Sequence, residues 1–71
     1  MSRECFSFVV WLIHELSHVW DMSPGSVYAI LKKSGCLSGY LSPNYDVLHT
    51  VGSRALIGDV EEYVRSRGYL T

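Results

Sequence analysis

Leu16-Ser17-His18-Val19-Trp20-Asp21-Met22-Ser23-Pro24-Gly25-Ser26-Val27-Tyr28-Ala29-Ile30-Leu31 holds a helix end, a turn and a helix start within sixteen residues. Leu16, Val19 and Trp20 recur at helical spacing, and the pattern stops at Asp21-Met22. Ser23 is a residue type that caps helix N-termini with its hydroxyl. Pro24 follows at the first helical position, where its missing N–H costs nothing. Val27, Ile30 and Leu31 then resume the apolar spacing. The segment therefore predicts two helices folded back through a tight turn.

Upstream, the same periodicity predicts a first helix from about Glu4 to Trp20. At 100° per residue, Cys5, Phe8, Val9, Leu12, Leu16 and Val19 share one side, flanked by Phe6, Ile13 and Trp20. That is a wide core-facing stripe. Ser7, Val10, Trp11, His14, Glu15, Ser17 and His18 occupy the opposite arc, with Trp11 in its middle. Downstream, the second helix extends to about Ser34, with Lys32 and Lys33 in the last turn, where positive charge suits the helix dipole. Gly35 is the residue type that ends helices in a left-handed conformation. Residues 36–44 read as a loop punctuated by Gly39, Ser42 and Pro43. Pro43 to His49 reads as a short helix. A final helix starts near Ser53 and ends before Gly68, with Leu56, Ile57, Val60 and Val64 on its apolar side and a Glu61–Arg65 pair on its surface. No segment alternates with period two. The expected fold is all-α: one domain over residues 1–71, a compact bundle of three main helices and one short helix, the first two forming a helix-turn-helix-like hairpin.

Hydrophobic residues make up 48% of the 71, charged residues only 18%, and the mean hydropathy is +0.12. Disordered chains show the opposite balance. A domain this small buries a modest share of its surface, so an apolar composition points to a partner. The net charge of −1 gives no overall attraction for nucleic acid. The apolar run Phe6 to Ile13, broken only by Ser7, is far shorter than the roughly 20 residues of a membrane span. Arg3 followed at once by Glu4 does not resemble a signal peptide. Cys5 and Cys36 are too few for a disulfide scaffold and read as reduced thiols in or near the core, as in a cytoplasmic protein.

Three patterns bear on chemistry. His14-Glu15-Leu16-Ser17-His18 is an HExxH sequence on a helix, where histidines one turn apart can share Zn²⁺ and the glutamate can act as base. A chain of this size lacks room for a substrate cleft, and no third ligand follows at a familiar spacing. Leu16 to Leu31 is similar to bacterial helix-turn-helix segments, with Asp21 at the turn position often held by glycine. Its second helix would offer Ser26, Tyr28, Lys32 and Lys33 to DNA, a thin basic footprint. Tyr45-Asp46-Val47-Leu48-His49-Thr50 concentrates polar and aromatic groups at a corner before Gly52. Asp46 and His49, three apart, can share a helical face, and a His–Asp pair can orient an imidazole. Cys36, Ser42 and Thr50 are nearby nucleophile types only along the chain. The competing reading, which carries more weight, is that Asp46, His49 and Thr50 supply hydrogen bonds that fix the corner while Tyr40 and Tyr45 pack over the core edge.

The whole pattern resembles the small bacterial family known as domain of unknown function 3791. The resemblance rests on the apolar first helix reaching Leu16, on Val27-Tyr28, Leu31-Lys32 and Ser34-Gly35, and on Tyr40. It continues through Tyr45-Asp46-Val47-Leu48-His49-Thr50, then Asp59-Val60-Glu61-Glu62-Tyr63 and Arg67-Gly68. His14 and His18 are not part of the family pattern. Members are often encoded beside proteins that look like ADP-ribosyltransferases, in arrangements suggestive of toxin–antitoxin modules. The resemblance thus implies a partner protein rather than an enzyme.

The expectation is a non-enzymatic, helical protein-interaction module of the bacterial cytoplasm. It is an antitoxin-like or accessory partner of a larger transferase-like toxin, with no cofactor, no bound metal and no membrane association. Two contact surfaces are expected: Trp11, His14 and His18 on the first helix, and Tyr45, Asp46, His49 and Thr50 at the corner. A helix-turn-helix DNA-binding domain is the alternative, and a small zinc protein built on HExxH ranks behind it. A homodimer is compatible with each.

Overall fold

The computed structural model describes residues 2–70. Helix α1 spans Arg3–Val19, α2 Pro24–Lys33, α3 Tyr45–Leu48 and α4 Ser53–Ser66, with a π-helical turn Leu37–Leu41 between α2 and α3. No strand occurs among the described residues. The all-α bundle of three main helices and one short one is the architecture the periodicity predicts.

The ends of α1 and α2 follow from local chemistry. Ser2 Oγ accepts from the Cys5 N–H at 3.1 Å, and Ser23 Oγ accepts from the Ser26 N–H at 3.2 Å, each satisfying a donor that the first turn leaves free. Between α1 and α2 the chain reverses at Asp21, whose φ of 52° is left-handed. Asp is among the few non-glycine types that tolerate this region, because its short side chain bonds locally. Ser17 ties the reversal twice: its hydroxyl donates to the Met22 carbonyl at 2.6 Å, and its carbonyl accepts from the Met22 N–H at 3.1 Å. Gly35, at φ 82°, turns the chain out of α2, the left-handed exit that glycine permits without strain.

The core is one cluster. Leu12 and Leu16 of α1 meet Val27 and Leu31 of α2, Leu48 of α3, and Leu56, Val60 and Val64 of α4, with Cys36 and Leu41 from the intervening segment. Cys5 and Val9 extend it along α1. Two expectations need correction here. Residues 36–44 are not a loop: the Ser42 N–H bonds the Leu37 carbonyl five residues back at 3.0 Å, and Cys36 and Leu41 are fully buried. Gly39 permits this wide turn to press on α4, since a Cβ there would stand 3.2 Å from the Tyr63 hydroxyl. Phe6 and Val19, expected on the core side of α1, are 61% and 52% exposed. Val19 is the last residue of α1, past the point where α2 turns back, and Phe6 lies at the rim of an arc wider than the other elements cover. No helix among the described residues is long and apolar enough to cross a membrane.

Leu16→Ala should lower stability by about 2–5 kcal/mol, because it removes fully buried methyl groups and leaves a cavity. Val19→Ala on the same helix should change it by less than about 0.5 kcal/mol. Urea unfolding of both variants checks the contrast.

Candidate interaction surfaces

The corner after the π-helical turn is built by side chain to backbone bonds. Thr50 Oγ1 donates to the Val47 carbonyl at 2.7 Å, and Asn44 Nδ2 donates to the Tyr40 carbonyl at 2.8 Å. His49 Nδ1 lies 2.8 Å from the Tyr45 carbonyl. A carbonyl only accepts, so Nδ1 carries the proton, and in the neutral ring Nε2 is left as the acceptor. Of the two readings of this corner the structure favours the local one for His49: among the described residues its ring bonds the backbone and not Asp46, which is exposed. One turn of helix brings the ring back over its own chain, within reach of the Tyr45 carbonyl. Neither Ser42 nor Cys36 reaches His49, and Thr50 spends its hydroxyl on Val47. The expectation that this corner is fixed by local hydrogen bonds holds for His49 and Thr50.

Aromatic contacts link this corner to α1. The His49 ring stacks on Tyr45 with centroids 4.6 Å apart. Tyr45 meets Phe8 edge to face at 5.5 Å, and Phe8 lies 6.1 Å from Trp11. Edge-to-face and offset arrangements at such distances are the favourable ones for rings. Trp11 and His49, far apart in sequence, line one groove of about 500 Å³ with Glu4, Val51, Ser53 and Leu56. Three of the seven expected contact residues, Trp11, Tyr45 and His49, are therefore joined in a single surface.

His14 lies elsewhere. It opens on a second groove of about 500 Å³, between α1 and α2, with Phe6, Val10, Ile13, Pro24 and Tyr28. Its lining is almost wholly apolar, and His14 is its one ionisable group besides the Tyr28 phenol. Tyr28, named above among residues for DNA, faces this apolar groove and has Lys32 Nζ 6.0 Å from its ring. Ser26 bonds back to the Ser23 cap through its hydroxyl and its N–H, and Lys33 is exposed. His18 is exposed one turn beyond His14. Among the described residues no three His, Cys, Asp or Glu side chains come together to hold a metal.

Sequence reasoning missed Phe6, Val10, Tyr28 and Val51 as groove residues; Phe8, expected on the core side, does pack against the core and in addition bridges Trp11 and Tyr45. A signal was present: apolar residues flank the α1 stripe on both sides, a broader arc than one core contact requires.

The sequence pattern of the family described as Protein of unknown function (DUF3791) matches residues 7–67. The chain belongs to this family. No curated protein and no solved structure matches it. The matched span takes in both grooves, apart from Phe6 and Glu4 at their rims.

Among the described residues Cys36 is the most buried nucleophile type. Burial pushes its thiol from 9.0 up to about 11, against a smaller opposing pull from the Arg67 charge. The folded state thus resists forming the thiolate, while the unfolded chain ionises at the ordinary value. The stability that Cys36 contributes is intact below pH 9 and is lost as pH rises toward about 11. Tyr40, raised above 10.0 by partial burial and then by the Asp59 and Cys36 charges, acts in the same direction. Urea midpoints should fall across this alkaline window, and Cys36→Ala should flatten the decline.

Proposed function

We propose that this chain is a non-enzymatic, helical protein-interaction module that docks on a larger protein through α1 and the corner at Tyr45. The observation that carries the reading is the run of rings Trp11–Phe8–Tyr45–His49, of which Trp11, Phe8 and His49 line one groove, with Trp11 still 41% exposed. Tryptophan in a groove with a polar rim is the kind of residue that anchors protein interfaces. Phe6, Val10, Tyr28, Val47 and Val51 add exposed apolar surface around α1 and the corner. Contiguous apolar surface of this kind marks association sites in small soluble domains.

The partner in this reading is a transferase-like toxin of the type that family resemblance implies, and the module neutralises or positions it in the bacterial cytoplasm. The groove chemistry suits a folded surface that presents an apolar knob beside a cation: Phe8, Trp11, Val51 and Leu56 receive the knob, and the Glu4 carboxylate faces the charge. His49 Nε2 adds an acceptor at the same rim.

Tagged chain and its Trp11→Ala variant, passed through the same host lysate, test the proposal by mass spectrometry of what each retains. One protein held at fixed stoichiometry by the parent chain and lost from the variant is the expected result, with an affinity loss of tenfold or more, about 1.4 kcal/mol or above. Retention of nucleic acid alone, weakened by Lys32→Ala and Lys33→Ala, would replace the proposal with the DNA-binding reading. Retention of nothing would overturn it.

A further inference from the structure

His14 and His18 sit one turn apart on a regular helix, and both are exposed. Residues four apart on a helix have their Cβ atoms about 5–6 Å from each other. Two imidazoles so placed can share one divalent ion at about 2.0–2.1 Å. The electrostatics suit a cation. From Glu4 to Val19 the helix has no Lys or Arg, and its only formal charges are Glu4 and Glu15. His18 stands in the last turn, at the partially negative end of the helix dipole.

One chain offers only these two ligands, since among the described residues no third His, Cys, Asp or Glu joins a pair. Zn²⁺ held structurally by protein takes four. The surroundings supply a reason for a second copy to complete the set. Val10 and Trp11, one turn before His14, are 38% and 41% exposed. Ser7, Trp11, His14 and His18 follow a four-three-four spacing, the seam of two helices packed side by side. A standard interface covers about 800 Å² per partner, nearly a fifth of the 4451 Å² this chain exposes. A helix of 17 residues is about 25 Å long and 10 Å across, so one face of it falls short of that area. Coordination bonds would supply what the area does not.

We propose that His14 and His18 form half of a divalent-metal site, and that a second copy of this chain completes it, so that one zinc-class ion bridges a two-fold dimer across the outward face of α1. In an isologous interface each copy presents the same patch, so the two histidines become four around a single ion. Four protein ligands close the coordination sphere and leave no open position for water, so the site is structural and performs no hydrolysis. Val10 and Trp11 pack beside it. The proposal stands apart from the docking of a larger partner and is tested on the purified chain alone.

Full-length chain freed of metal with a chelator is passed through size exclusion with light scattering, before and after stoichiometric zinc chloride, with bound metal measured in each peak. The expected result is a shift from 8.0 kDa to twice that mass, with one zinc per two chains, and loss of both the shift and the bound zinc in His14→Ala and in His18→Ala. Both positions are exposed, and circular dichroism confirms that the variants keep their helices. Unchanged mass at saturating zinc would overturn the proposal, as would one zinc per chain without association. A dimer of equal strength in chelator and in His14→Ala would do the same, since apolar contact alone would then hold the pair.

Discussion

Everything in this small fold leans on the burial of α1 against its own return strand of helix. Leu12 and Leu16 are fully inaccessible in the cluster that Val27 and Leu31 of α2 join by folding back on α1. That return depends on a four-residue reversal held by Ser17 and Ser23 and routed through the left-handed Asp21. Nucleating a helix is costly, and an isolated 10-residue helix such as α2 is marginal in water. Neither helix is stable by propensity alone. The contact between them provides the floor on which the π-helical turn, α3 and α4 are laid.

That arrangement has a geometrical consequence. The longest helix is central, yet α2 and α4 have only 10 and 14 residues, and α3 only four, with which to enclose it. The whole molecule measures 29 × 21 × 20 Å. Such short elements cover one side of α1 and stop. Apolar residues at its flanks, Phe6 and Val10 on one side and Trp11 on the other, are left at the surface. A larger domain would close over them with another layer. Here the uncovered flanks become two grooves, a by-product of the same size limit that makes the core small.

How much of this was legible depended on whether the deciding contacts were local. Helix positions, Ser23 and Pro24 at the start of α2, Gly35 at its end and the Glu61–Arg65 pair, which forms at 3.6 Å, all rest on neighbours within a turn or two. Those were readable. The segment after Gly35 was not, because Gly39, Ser42 and Pro43 signal a loop locally. Burial of Leu41 and Cys36, with Tyr40 stacked on Tyr63 at 5.4 Å, overrides that signal from α4. The candidate surface was half legible. Exposed Trp11 and the Tyr45–Thr50 corner could each be named from sequence, but their union through Phe8 is a tertiary contact that no spacing encodes. Spacing left two partners open for His49, Asp46 on the same face or the local backbone, and the ring bonds the Tyr45 carbonyl.

The two faces of α1 also differ in what they can recognise. Around Trp11 and His49 the rings are held by contacts from two elements, so the groove is shaped before anything binds, and little ordering remains when a partner arrives. His14 and His18 are exposed on α1, His14 at the rim of the apolar groove toward α2, and neither joins the ring contacts that shape the other groove. A preformed groove suits one partner of complementary shape. A pair of free imidazoles responds instead to the concentration of an ion. Because Trp11 borders both, association through the histidine face would cover part of the aromatic groove, and the two modes would compete for one helix. If both proposals hold, the sharing of Trp11 would make docking depend on the ion without any change of fold.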